Sequence, residues 1–143
     1  MLQRLLVKWV IGCGIYEAAQ AGDIYKVRAL LAIDPILAKR REAKRPLTPL
    51  HLAAMQDNIP LAELLLAYGA DINAIDPLTG RTPLHLAAHH GSRQITSYLL
   101  MRGADRQAID NSGLTPLQVA ERAQKRAVVD LLLSAETQQH ADD

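Results

Sequence analysis

The chain has 143 residues, 49% of them hydrophobic, with a formal net charge of +1; this is length enough for one domain with a core, and too apolar for wholesale disorder. Its single cysteine, Cys13, excludes an intramolecular disulfide framework and points to a reducing, cytoplasmic setting. No apolar run approaches the roughly 18 residues that span a bilayer, and with no Phe in the chain Leu and Ala must fill the interior.

Residues 2–10 place Leu2, Leu5, Leu6, Trp9 and Val10 on one helical face, with Arg4 and Lys8 opposite. That spacing predicts a helix or turn over residues 1–14 that covers the open end of the unit beginning at residue 15. Val10-Ile11-Gly12-Cys13 also reads like a bacterial lipobox, whose thiol would carry a lipid and place the protein in the envelope. Against it, the apolar segment is short and Lys8 interrupts it.

The next stretch, 15–47, carries two short apolar patterns. Glu17–Asp23 ends in a glycine turn, and Val27, Leu30 and Leu31 fit a second helix. The return, Ile33-Asp34-Pro35-Ile36-Leu37-Ala38, lacks the Gly-Ala-Asp string found later in the chain and is the least predictable part of the array. It leads into Lys39-Arg40-Arg41-Glu42-Ala43-Lys44-Arg45, five basic residues in seven. This run is read as a solvated finger, or as a patch for an acidic partner. Residues 1–47 carry nine basic and four acidic side chains, and residues 48–143 seven and eleven. The acidic remainder, and the lack of aromatic residues within the run, argue against nucleic acid.

At Thr48 a string begins that then recurs. Thr-Pro-Leu-His-Leu-Ala-Ala stands at Thr48–Ala54 and at Thr82–Ala88, and a weaker Thr-Pro-Leu-Gln-Val-Ala-Glu at Thr115–Glu121, with spacings of 34 and 33 residues. Such a period marks stacked repeats. Each threonine suits a helix N-cap, and each proline the first helical position, where its missing N–H costs nothing. In the unit 82–114, Gly91 suits a left-handed turn, Ser92 can cap a second helix, and Ile95, Tyr98, Leu99 and Leu100 give it an apolar face. Gly103 ends that helix, and Asp110-Asn111-Ser112-Gly113 marks the tip of an extended return. In the unit 48–81, Asn58 is the expected second-helix cap, with Pro60 in its first turn. Asp57 stands where Gly91 stands, a position that asks a non-glycine residue to go left-handed. The last unit, 115–134, replaces His by Gln118, Ala by Glu121 and Gly by Gln124. Polar residues at those positions say that the stack stops there, and 135–143 reads as a polar, disordered tail.

The three Thr-Pro-Leu strings resemble the ankyrin repeat. So do Leu64-Leu65-Leu66 followed by Gly69-Ala70-Asp71-Ile72-Asn73-Ala74, and Leu99-Leu100 followed by Gly103-Ala104-Asp105. The resemblance covers about 120 residues. It implies an all-α solenoid of four stacked helix-turn-helix units with short β-hairpin-like fingers. It implies that His51 and His85 tie neighbouring loops together. It also makes Asn73, eight residues after Leu65, a candidate for asparagine hydroxylation.

The function that the resemblance implies is non-catalytic recognition of another protein, by a monomer, through finger tips and the concave face of the first helices. Carried onto this chain, the partner-facing positions are Lys44, Arg45 and Leu47, then Met55, Gln56 and Tyr68. They continue through Leu78, Thr79, Arg81, His89 and His90, and end at Arg102, Asn111, Leu114 and Arg122. The residues themselves point away from catalysis. There is no phosphate-cradling glycine loop, no G-x-S-x-G elbow, and no cysteine-hydrolase signature around Cys13. His85 and His89 have metal-binding spacing on a helix, but no His-Glu-x-x-His arrangement accompanies them. No metal or cofactor is expected.

Overall fold

The computed structural model describes residues 14–41 and 46–141. The cap expected over residues 1–14 lies outside them except for Gly14, as do the Val10–Cys13 string and Lys44 and Arg45.

Among the described residues, eight α-helices and one 3₁₀ turn follow one another, with no strand. The helices form four antiparallel pairs: α1 (14–20) with α2 (Ile24–Ile33), α3 (Pro49–Met55) with α4 (Ile59–Ala67), α5 (Pro83–His90) with α6 (Arg93–Met101), and α7 (Pro116–Arg122) with α8 (Arg126–Ala141). Helix α5 packs between α3 and α7, and α6 between α4 and α8. The first helices thus form one layer and the second helices another.

The recurring string explains the first helices. Pro49, Pro83 and Pro116 each open a helix immediately after a threonine cap. The backbone N–H of Thr82 donates to His85 Nδ1 at 3.2 Å, and that of Thr115 to Gln118 Oε1 at 2.9 Å, closing reciprocal capping boxes. Ala53, Ala54, Ala87, Ala88 and Ala120 are fully buried; methyl-sized side chains let neighbouring helices approach closely. None of these helices is long enough to persist alone in water. Stacking supplies what propensity does not: Leu50, Leu61, Leu65, Leu84, Ile95 and Leu99 are fully buried in one continuous cluster, each such side chain contributing about 2 kcal/mol of transfer free energy. A smaller cluster of Ala88, Ala120, Val128 and Leu132 joins the last pair to the stack, with Leu100 packed against both.

Several expectations are met and several are revised. Asn58 caps α4, its Oδ1 accepting the Leu61 N–H at 3.1 Å. Asp57 and Gln124 take positive φ, +53° and +58°, at the position of Gly91, φ +71°. Ser92 makes no side-chain cap for α6. That service comes instead from Asp57 of the preceding repeat, whose Oδ1 accepts the Ile95 N–H at 2.8 Å. The fingers are closed by backbone bonds at their bases, Asp76 N–H to Arg81 O and Asp110 N–H to Leu114 O, both 2.9 Å, without forming strands. The first finger begins as a 3₁₀ turn, Pro35–Lys39, capped by Asp34. The polar tail expected to be disordered from residue 135 continues α8 to Ala141. Once the helix is nucleated by its buried part, Ala, Glu and Gln extend it at little cost, and the Ser134 and Thr137 hydroxyls bond back to Leu131 O and Ser134 O. No helix among the described residues is long and apolar enough to cross a membrane.

Candidate functional site: the finger and first-helix face

Two buried histidines hold the fingers onto the helices. His51 Nδ1 accepts the Thr48 N–H at 3.1 Å, so its proton sits on Nε2, which donates to Arg81 O at 3.1 Å. His85 repeats the arrangement one unit later: Nδ1 accepts from Thr82 N–H, and Nε2 donates to Leu114 O at 2.9 Å. Burial holds both imidazoles below the ordinary histidine value, and the carbonyl bonds only partly oppose it. The tie between loops implied by the resemblance is therefore present in both full repeats. Because both nitrogens of His85 are engaged, the His85–His89 pair is not available as a metal site. Among the described residues, no three His, Cys, Asp or Glu side chains converge as ligands.

The fingers are laced to one another. Arg41 Nη1 donates to Ile75 O, joining finger 1 to finger 2. Asn111 docks finger 3 on finger 2: its backbone N–H donates to Thr79 O at 2.9 Å and its side-chain amide to Leu78 O at 3.1 Å. Gly80, at φ +70°, makes room for this, since a Cβ there would stand 2.8 Å from Asn111 N and closer still to its side chain. Arg81 Nε meets Asp110 Oδ2 at 3.3 Å. At the finger bases, Asn73 Oδ1 accepts the Asp105 N–H at 2.9 Å.

The finger carboxylates point inward. Asp76 accepts Leu78 N–H at 2.9 Å and the Thr79 hydroxyl at 2.6 Å. Asp110 accepts Ser112 N–H at 2.8 Å and Leu114 N–H at 3.0 Å. Burial alone would raise the Asp110 carboxyl, but these N–H groups and Arg81 more than offset it, so it titrates below its usual range.

Of the partner-facing residues expected from the sequence, Leu78, Thr79, Arg81, Asn111 and Leu114 come together on fingers 2 and 3. His89 and His90, exposed at the end of α5, Met55 and Gln56 at the end of α3, and Arg122 at the end of α7 belong to the adjoining first-helix ends. Several of these are already engaged within the chain: Thr79, Arg81 and Asn111 in the lacing of the fingers, Leu114 through both backbone groups, and Gln56, whose Nε2 donates to Gln20 O at 2.9 Å. Leu47, Met55 and Tyr68 are half-buried against the core. Leu78, 74% exposed, is the free apolar tip. Tyr68 and Arg102 cap the C-termini of α4 and α6 and so lie on the second helices, apart from the rest. There Arg102 sits 6.0 Å from the centre of the Tyr98 ring.

Sequence reasoning missed Arg41 as a lace, Asp57 as an inter-repeat cap, and Lys125. Lys125 lies across Gly91 of the preceding repeat: a Cβ on Gly91 would stand 2.8 Å from Lys125 Cδ. A groove of about 720 Å³ runs elsewhere, between α6 and α8, with Met101, Asp105, Leu131 and Gln138 in its walls. Its lining also includes Arg106, Ser97 and Ser134.

A family model described as ankyrin repeats, three copies, matches residues 6–76 and 50–143. The probable E3 ubiquitin-protein ligase XBOS31 of Oryza sativa subsp. japonica is 38% identical over 61 residues, 43% of this chain and 14% of that protein. The E3 ubiquitin-protein ligase XB3 of the same organism is 39% identical over 61 residues, again 43% and 14%. The serine/threonine-protein kinase VIK of Arabidopsis thaliana is 46% identical over 58 residues, 41% of this chain and 13% of the kinase. The chain thus spans about one-seventh of the length of the curated relatives it matches.

Proposed function

Because this chain belongs to the ankyrin-repeat family, whose repeats form protein–protein interaction modules, we propose that it binds a partner protein without catalysis, across fingers 2 and 3 and the adjoining ends of α3, α5 and α7. The supporting observation is the network of hydrogen bonds that ties the fingers of that face together. Fingers otherwise free to move are pinned by His51, His85, Asn111 and the Arg81–Asp110 pair. A preordered surface loses little conformational entropy on binding, so more of the contact energy appears as affinity. Leu78, 74% exposed on a pinned finger, offers an apolar anchor, with His89 and His90 exposed at the end of α5.

The relatives named as ligases and a kinase share only an ankyrin-sized stretch with this chain. The reading taken from them is therefore recognition alone. The basic run, of which Lys39, Arg40 and Arg41 are exposed, is proposed as a secondary contact for acidic surface.

The test is site-specific photo-crosslinking in the source cells. A photoreactive residue at Leu78 or His89 is expected to capture one discrete partner band, and one at Arg93 or Arg126, on the second helices, to capture none. Capture from the second helices alone would refute the assigned face.

A further inference from the structure

Basic side chains gather at the end of α5. His89 and His90 close that helix, both exposed, with ring centroids 5.2 Å apart and planes at 85°. Lys125 arrives from the α7–α8 turn, its aliphatic stem crossing Gly91. Arg81 arrives from finger 2. Lys125 and Arg81 place positive charge near His90, and Asp110 offsets that of Arg81.

The carboxylates near this point are turned elsewhere. Asp110 is buried, paired with Arg81 and bonded to two backbone N–H groups. Asp57, at the α3–α4 turn, is bonded to Ile95 N–H. Helix α3 ends in the uncharged Met55 and Gln56. On α7, Glu121 lines the outer end of the stack beside Gln124, Arg126 and Val129, and Arg122 adds a further cation. From α6, the nearest charged residue in sequence is Arg93, also a cation. Among the described residues, no ion pair engages His89, His90 or Lys125.

We propose that His89, His90 and Lys125 form an anchoring point for a carboxylate side chain on an acidic segment of the partner, and that His90 makes this grip tighten as pH falls. This rests on the protein-recognition reading and names the chemistry of its partner. The donors are side chains at a helix C-terminus. The backbone N–H groups there, of Gly91 and Ser92, are already bonded to Ala88 O and Ala87 O. No row of free N–H groups of the kind that cradles phosphate is present, so a single carboxylate is the better match. Burial, then the neighbouring cations, hold the His90 imidazole below its ordinary value. An incoming carboxylate reverses the sign of the local field and favours the imidazolium. Binding then takes up a proton, and by linkage affinity rises as pH falls, by at most about tenfold per pH unit for one proton.

The probe is an N-acetylated, C-amidated hexaglutamate peptide, titrated into the full chain and followed by the histidine ring resonances. Expected are a movement of the His90 signals and binding about three times tighter or more at pH 6.0 than at pH 7.5. His90→Gln should flatten that pH dependence. Lys125→Gln should weaken binding at both pH values while circular dichroism shows an intact fold. Hexaglutamine that matches hexaglutamate, absence of any movement at His90, or an unchanged pH slope in His90→Gln overturns the proposal. A short DNA duplex that saturates the same resonances at lower concentration reassigns the cluster to phosphate and also overturns it. If hexaglutamate fails while crosslinking from His89 still captures a partner, the charge reading falls alone. If both fail, the recognition face itself is wrong.

Discussion

Asp57 and Ile95 stand 38 residues apart, yet the carboxylate of one accepts the backbone N–H of the other at 2.8 Å. Asp57 pays with an unfavourable left-handed backbone, φ +53°, at a position where Gly91 serves the next repeat. In return its side chain caps a helix that its own Ser92 leaves uncapped. The residue that looks like a defect in one repeat is a fastening for the next.

Asp57→Ala should therefore destabilise the array by about 1–2 kcal/mol, the range for loss of a helix N-cap. Asp57→Asn keeps an acceptor and tolerates the left-handed backbone, and should retain most of the stability. Urea unfolding monitored by circular dichroism checks both. Equal losses in the two variants would show that the hydrogen bond is not the cause.

Ala87→Asp should abolish cooperative folding. Ala87 has no exposed surface, and lies on α5 between α3 and α7. A carboxylate there is buried without a partner and overfills a close helix contact, a combination expected to cost well over ~3 kcal/mol. Thermal unfolding like that of the native chain would refute the packing.

Gly80→Ala should cost about 1–3 kcal/mol, from the left-handed backbone and the collision with Asn111 together. Asn111→Ala in the same chain removes the side-chain contacts but leaves Asn111 N at 2.8 Å from the new methyl. A double-mutant cycle by urea unfolding should thus recover only part of the loss. Full recovery would mean that the docking of finger 3 is confined to the Asn111 side chain.

Stability should fall as pH drops through the histidine range. His51 and His85 are held neutral, below the ordinary value of 6.5. The unfolded chain therefore binds protons that the folded chain refuses. Their contribution is complete above about 6.5 and is lost as pH falls toward and through the folded values. His90, shifted the same way, adds to the trend. Asp110, lowered from 3.8, contributes only at more acidic pH, so the windows separate. His85→Gln should flatten the slope between pH 7.5 and 5. Glutamine can take over the acceptor role, as Gln118 does for Thr115 N–H at 2.9 Å. An unchanged slope in that variant would show that His85 does not carry it.

The sequence alone determined what depends on residues close along the chain. The threonine caps, the prolines at first helical positions, the apolar helix faces and the turn at Asp57 are set within three or four residues of one another, and all were legible. The extent of α8 was not legible, because polar residues that fray a free helix simply prolong one already nucleated by its packed half. Only the tertiary structure decided which residues meet across repeats. Asp57 with Ile95, Arg81 with Asp110, Asn111 on Gly80 and Lys125 over Gly91 are 29 to 38 residues apart. Those meetings depend on the register and spacing of the stacked units, set by shared burial of Leu and Ala side chains that are nearly alike in every repeat. The recurring string thus specifies the frame, and the non-repeating residues acquire their partners, and their charge environment, only when the frame is assembled.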